Sequence, residues 1–238
     1  MRSATPLVEI CVDDVAGAML AEAEGADRIE LCSALREGGI TPSLGLVQAV
    51  LSRIGRIGLR VMVRPRSGDF VMSSDELEVM LADVAAFRAL PRSPAIDFGF
   101  VFGALTPAGD IDVAALRRLL AACAGHSGTF HKAFDAARDL PAALETLAAL
   151  GIGHVLTSGG AATAAAGAVM LARLQKQARG RIAVIAAGAV RAGNVAALLD
   201  ATGIGEVHLR AMRPDATGRP VTVREEIAAV VRAARGPA

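Results

Sequence analysis

The stretch RIAVIAAGAV, Arg181–Val190, decides the fold. It is apolar at almost every position, carries β-branched Ile182, Val184 and Ile185, and breaks at Gly188. A strand without polar alternation is buried on both faces, as happens in parallel sheets covered by helices. Outward from it, the same unit of short apolar strand and helical pattern recurs about eight times along the chain. The strands are expected at 8–12, 28–32, 60–65, 97–103, 128–133, 154–158, 182–187 and 206–209. Helical patterns fall at 15–23, 44–53, 75–90, 113–123, 140–150, 163–178, 192–199 and 223–233. Gly25 and Gly151 stand where C-caps belong, and Ser43 and Asp112 where N-caps belong. Strand–helix alternation implies parallel pairing through right-handed crossovers. Eight units predict an α/β fold, a (β/α)8 TIM-type barrel rather than a doubly wound sheet. No linker or composition shift divides the chain, so one domain is expected over residues 1–238.

Composition narrows the function. The formal net charge is +1, with acids and bases interspersed. That argues against a nucleic-acid or membrane-surface footprint. With no Trp, no Tyr and seven Phe, the chain has no aromatic platform for stacking bases. The longest uncharged run, 155–172, is mostly Ala, Gly, Thr and Ser, too weakly apolar for a membrane span. The N-terminal sequence meets charge too early for a secretory signal. Three cysteines, an odd number, fit free thiols in a reducing compartment, and a cytoplasmic location is expected.

Polar residues then appear where a buried strand has no use for them. Side chains two apart share a face, so Glu9 joins Cys11 on the first strand and Glu30 joins Cys32 on the second. In VMVRPR, Met62 and Arg64 share a face, with Arg66 just beyond. His131 and His208 end the fifth and eighth strands. Active sites of such barrels lie at the C-terminal ends of the strands. Buried charges are costly unless paired, so Glu9, Glu30, Arg64, His131 and His208 are expected to converge there as a catalytic cluster. Any one of them also has a purely structural reading as half of an interior ion pair. It is their convergence that points to a site.

Cys11 and Cys32 have two readings. Paired thiols suit Cu(I) or zinc, because soft thiolates favour these ions. Cysteine is also a common small buried residue, which is the reading for Cys123 in a helical pattern. Arg66 and Asp69 in PRSGDF form either an anion clamp or a turn held by their own ion pair. Gly188 lies where barrels build backbone-amide phosphate cradles, or simply in a strand–helix turn. With Asp135 and Thr157 these complete the expected substrate-binding set. In TFHKAFD, Lys132 alternates away from His131 and is expected to face the helices or solvent, which sets aside a Schiff-base aldolase.

The segments EICVDD (9–14), GADRIELC (25–32), EGGITPSLG (37–45), VRPRSGDF (63–70), FGFVFGALTPAGDID (98–112), TFHKAFD (129–135), HVLTSGG (154–160) and EVH (206–208) together resemble the CutC family, named for a proposed role in copper homeostasis. The resemblance spans nearly the whole chain. It implies a (β/α)8 barrel, a cytoplasmic location, a homodimer or higher homo-oligomer, and copper binding at Cys11 and Cys32. The chain departs from the family pattern at Lys132, where Arg is usual, and at Leu209–Arg210. Two functions therefore stand: Cu(I) binding in copper homeostasis, or a barrel enzyme acting on a small anionic metabolite, carboxylate or phosphate.

Overall fold

A computed structural model describes residues 5–236, so the first four and last two residues of the expected domain lie outside the described residues. Eight parallel strands close into a barrel in chain order: β1 (Leu7–Val12), β2 (Arg28–Leu31), β3 (Gly58–Met62), β4 (Phe98–Phe102), β5 (Ser127–Phe130), β6 (His154–Thr157), β7 (Ala183–Ala187) and β8 (Glu206–Leu209). Closure joins β1 to β8 with Glu9 opposite His208, while β1 meets β2 with Cys11 opposite Glu30. The helices are α1 (Val15–Ala23), α2 (Leu44–Leu51), α3 (Ser74–Arg88), α4 (Val113–Cys123), α5 (Leu140–Ala149), α6 (Ala168–Ala178), α7 (Val195–Thr202) and α8 (Arg224–Arg235). This is the (β/α)8 TIM-type barrel expected from the strand–helix rhythm.

Alternation divides each strand between two environments. Val8, Ile10, Val12, Ile29, Leu31, Leu59 and Val61 join the apolar layer shared with the helices. The interleaved Glu9, Arg28, Glu30 and Arg60 are buried too, and face the barrel interior. The first three strands are thus apolar on one face only, unlike β7. Local chemistry sets the helix starts: the Ser43 side chain accepts from Leu46 N, and that of Asp112 from Ala115 N. Gly25 and Gly151 follow their helices at φ +79°, as C-terminal glycines do.

Among the boundaries that differ from the sequence expectation, four have a clear local reason. β3 ends at Met62 because Arg64 leaves the ladder, its N–H donating to Thr41 Oγ1 (2.9 Å). β5 ends at Phe130 because His131 Nδ1 accepts from Ala133 N (3.2 Å) and starts a short 3-10 turn, Lys132–Ala136. α6 begins at Ala168 rather than 163, because the preceding loop folds back onto β6. A Cβ on Gly167 would stand 1.8 Å from the Ser158 carbonyl oxygen. α7 begins at Val195 rather than 192, because Asn194 first closes a turn through Arg191 N and Ala189 O. The sequence reading also missed a small antiparallel hairpin, β9 (Met212–Pro214) with β10 (Pro220–Thr222), between β8 and α8.

Candidate functional site

At the C-terminal mouth of the barrel lies a cavity of about 80 Å³, room for several waters or one small ligand. One wall comes from β1, β2 and β8, the strands that carry alternating acids. Glu9 is at its base, wholly buried, and gives one oxygen to Arg28 Nε and the other to His208 Nδ1 (2.7 Å). Arg28 also reaches Glu206 (2.8 Å). Above Glu9, one carboxylate oxygen of Glu30 lies 3.3 Å from Cys11 Sγ, 3.4 Å from Cys32 Sγ and 3.8 Å from His208 Nε2. The two sulfurs are 3.9 Å apart, and both thiols are free and buried.

Burial, pairing and hydrogen bonding set the charge states on this wall. Burial alone would raise the Glu9 pKa, but the Arg28 charge and the His208 contacts outweigh it and hold Glu9 well below the usual carboxylate range. For Glu30, burial and the neighbouring Cys11 charge act together and push the pKa well up. Hydrogen bonding from Cys32 overcomes burial and lowers the Cys11 pKa, with His208 adding to the effect; Cys32 moves up correspondingly. Burial opposes the charging of His208, yet the carboxylates around it raise its pKa well above the ordinary value. The wall therefore favours an imidazolium at His208, a carboxylate at Glu9 and an easily ionised thiol at Cys11.

The opposite wall is built by β3, β5 and their loops. Arg64, 6% exposed, donates through Nη1 to Gly39 O (3.2 Å) and through Nη2 to Gly68 O (2.8 Å). Its Nε has no partner among the described residues. Gly38 and Gly39 (φ +92° and +88°) make room here: a Cβ on the first would come 3.1 Å from Arg64 Nη1, and on the second 3.2 Å from Cys32 Sγ. His131, 4% exposed, spends Nδ1 on Ala133 N and leaves Nε2 unpartnered. Burial, reinforced by the Arg64 charge, lowers its pKa to about 3, so the ring is neutral with its proton on Nε2. Phe70 packs against both, 4.8 Å from the Arg64 guanidinium and 5.2 Å from the His131 ring centre. Met62 and Leu156 add apolar surface, and Lys132 and Arg210 line the rim.

Glu30, Arg64, His131, His208 and Cys11 thus share one cavity, with Glu9 beneath it and Cys32 behind Cys11. The remaining expected residues lie elsewhere. Arg66 turns to Glu76 and to Asp69 (2.9 Å), while exposed Asp69 accepts from Val71 N, so the turn held by an Arg–Asp pair is the arrangement present. Asp135 is absorbed into the β6 turn: it accepts from Thr157 Oγ1 (2.5 Å), Ser158 N and Oγ, Gly160 N and Lys132 Nζ. Thr157 therefore serves Asp135. Gly188 (φ +111°) accepts from Ala164 N across a strand–helix turn and does not line the cavity. Lys132 lines it at the rim with its side chain 45% exposed, so it meets solvent as expected but does not turn away from His131. Strand alternation failed at this residue because the strand had already become a 3-10 turn. Phe70, Gly38 and Arg210 were also missed. The paired glycines of EGG (37–39) were a signal for Gly38, since consecutive positive-φ glycines mark a close approach of backbone to a site. Cys123 is core, its thiol pushed up to about 12 by burial.

Comparison with known proteins shows the family and the fold. The model of the CutC family matches residues 6–213. The copper homeostasis protein cutC homolog of Homo sapiens is 47% identical over 205 residues, covering 86% of this chain and 73% of that protein. A CutC family protein of Agrobacterium fabrum is 46% identical over 210 residues, 87% of this chain and 80% of the relative. Among solved structures, a CutC protein of Streptococcus agalactiae superposes with a TM-score of 0.78 at 30% identity, covering 85% of this chain and 97% of that one. Phosphoribosyl anthranilate isomerase of Thermococcus kodakaraensis shares the barrel alone, with a TM-score of 0.65 at 17% identity, covering 98% of this chain and all of the other. The chain belongs to the CutC family.

Proposed function

We propose that the chain handles copper, holding one Cu(I) between Cys11 and Cys32. One observation carries this reading: two free, buried thiols from adjacent strands lie with their sulfurs 3.9 Å apart. With metal–sulfur bonds of about 2.3 Å, two sulfurs on one ion stand at most about 4.6 Å apart, so both can reach one ion with little movement. Thiolates are soft ligands that select Cu(I), and the lowered pKa of Cys11 eases loss of the first proton. The names of the human and mouse relatives support the same reading. It requires a reducing compartment, for which we propose the cytoplasm, and we extend to this chain the homodimer or higher homo-oligomer implied by the family resemblance. Elemental analysis after anaerobic Cu(I) loading tests it. About one copper per chain, lost in the Cys11→Ser/Cys32→Ser double variant, is expected; copper content indifferent to both thiols would sink the idea.

The opposite wall favours a second reading, a barrel enzyme acting on a small anionic metabolite. Its specific observation is Arg64, which lines the cavity and whose buried guanidinium donates to backbone carbonyls and to no carboxylate among the described residues. In this reading Arg64 holds the anion, and Glu30, His131 or His208 moves a proton on it. If no small anion raises the melting temperature of the copper-free protein, this reading falls.

A further inference from the structure

Arg64 and His131 both line this cavity, and each keeps a buried donor, Nε and Nε2, with no partner among the described residues. Burying a donor without a partner costs roughly 1–3 kcal/mol, so a pair of them in one place asks for an acceptor. Arg64 Nε belongs to a guanidinium held rigidly by Gly39 O, Gly68 O and the Phe70 face. His131 Nε2 belongs to a ring pinned by Ala133 N and packed between Phe70 and Phe130. Neither group can swing away to find water elsewhere.

We propose that this wall binds a small carboxylic acid, one carboxylate oxygen taken by Arg64 Nε and the other by His131 Nε2–H. The inference rests on the anionic-metabolite reading above and deepens it by naming the ligand class. Two planar N–H donors match the two oxygens of one carboxylate. A phosphate site in a barrel draws instead on backbone amides of the loop after β7, and here that loop stays out of the cavity. Within it, Gly188 O and Arg191 N are committed to Ala164 and Asn194. Met62, Leu156 and Phe70 offer the rest of the ligand an apolar surface, which suits a carbon skeleton. The cavity volume of about 80 Å³ limits that skeleton to a few carbons. The neutral state of His131 fits the assignment, because a protonated ring would crowd Arg64 with like charge.

The test uses the full chain without copper, titrated calorimetrically at neutral pH with glycolate, lactate, pyruvate and butyrate, and separately with inorganic phosphate and sulfate. Saturable binding of at least one carboxylate is expected, weakened about 10- to 100-fold in His131→Phe, which keeps a ring against Phe70 but removes the donor. The 15N resonance of His131 Nε2 in the parent protein should shift on titration, which keeps the test open if the Phe variant does not fold. Phosphate or sulfate binding that depends on His131, with no carboxylate binding, would overturn the ligand class and leave the anion reading standing. Carboxylate binding that leaves His131 untouched in both measurements would overturn the placement. No binding by any probe would remove both.

Discussion

Nδ1 of His208 stands 2.7 Å from Oε1 of Glu9, and the other oxygen of Glu9 is taken by Arg28. One buried carboxylate therefore fixes two cations from the strands on either side of it. Because Glu9 claims the Nδ1 edge of the imidazole, Nε2 is left on the Glu30 side, where Cys11 also lies. A second ligand shell works in this way at metal sites, holding one nitrogen of a ring so that the other is presented.

Replacing Glu9 by Ala removes the partner of two buried cations. Breaking one partner of a buried pair costs about 3–5 kcal/mol. Arg28 keeps Glu206, which places the expected loss toward the lower end. Urea denaturation of Glu9→Ala against the parent measures it. A loss near zero would mean that the Arg28–Glu9–His208 chain contributes nothing to the barrel.

Acid should destabilise the protein through His131 before it does so through Glu9. His131 has a folded pKa of about 3 against an ordinary 6.5, so its contribution is complete above pH 6.5 and is lost as pH falls toward 3. Within that window the unfolded chain binds one more proton, and stability falls by about 1.4 kcal/mol per pH unit from this group. Glu9, with its depressed pKa, begins to lose its contribution only below its ordinary 4.5. Between pH 4.5 and 6.5 the slope in His131→Phe should therefore be shallower than in the parent by about that amount. The difference is the quantity to read. His126 and His154, also lowered by burial, slope the same way as His131, while Glu30 slopes the opposite way.

Asp135 offers a stability prediction with no consequence for copper. Its two oxygens take donors from Thr157, Ser158, Gly160 and Lys132, tying the loop after β5 to the turn after β6. Asp135→Ala leaves the buried Thr157 hydroxyl and Ser158 N–H without their acceptor, at about 1–3 kcal/mol for each group that water cannot reach. A loss of at least about 2 kcal/mol in urea denaturation, with Cu(I) stoichiometry retained, is expected.

The fold was legible because its signals are local and repeated: the apolar run of β7, the caps at Ser43 and Asp112, the glycines after α1 and α5. The first wall of the site was legible too, since Glu9, Cys11, Glu30, Cys32 and His208 lie on regular strands where alternation holds. The second wall was only half legible. His131 and Arg64 were found, but both lie just past their strands, and alternation gives no guidance once the backbone turns. Lys132 was assigned outward on a strand rule that had ceased to apply one residue earlier. Asp135 and Thr157 were read as ligand groups because a polar residue at a strand end looks the same whether it faces a substrate or braces a turn. Which of these holds depends on partners from another unit of the barrel, and a single sequence does not show them.

The same substitution should have opposite signs at two glycines. Gly103 directly follows β4 beside His131, and a Cβ there would stand 2.5 Å from Cε1 of that ring and 2.6 Å from Nδ1. The ring has no free direction, being held by Ala133 N and flanked by Phe70 and Phe130. Gly103→Ala should therefore cost about 1–3 kcal/mol as overpacking and displace His131 from the cavity wall. Gly45 lies in the first turn of α2, with nothing within 4 Å of its would-be Cβ. Gly45→Ala should stabilise by about 0.5–1 kcal/mol, through helix propensity alone. Urea denaturation reads both, and the His131 ring resonances should move only in Gly103→Ala. If the two variants behave alike, His131 is not held as tightly as its contacts imply, and the donor it turns to the cavity is not fixed in place.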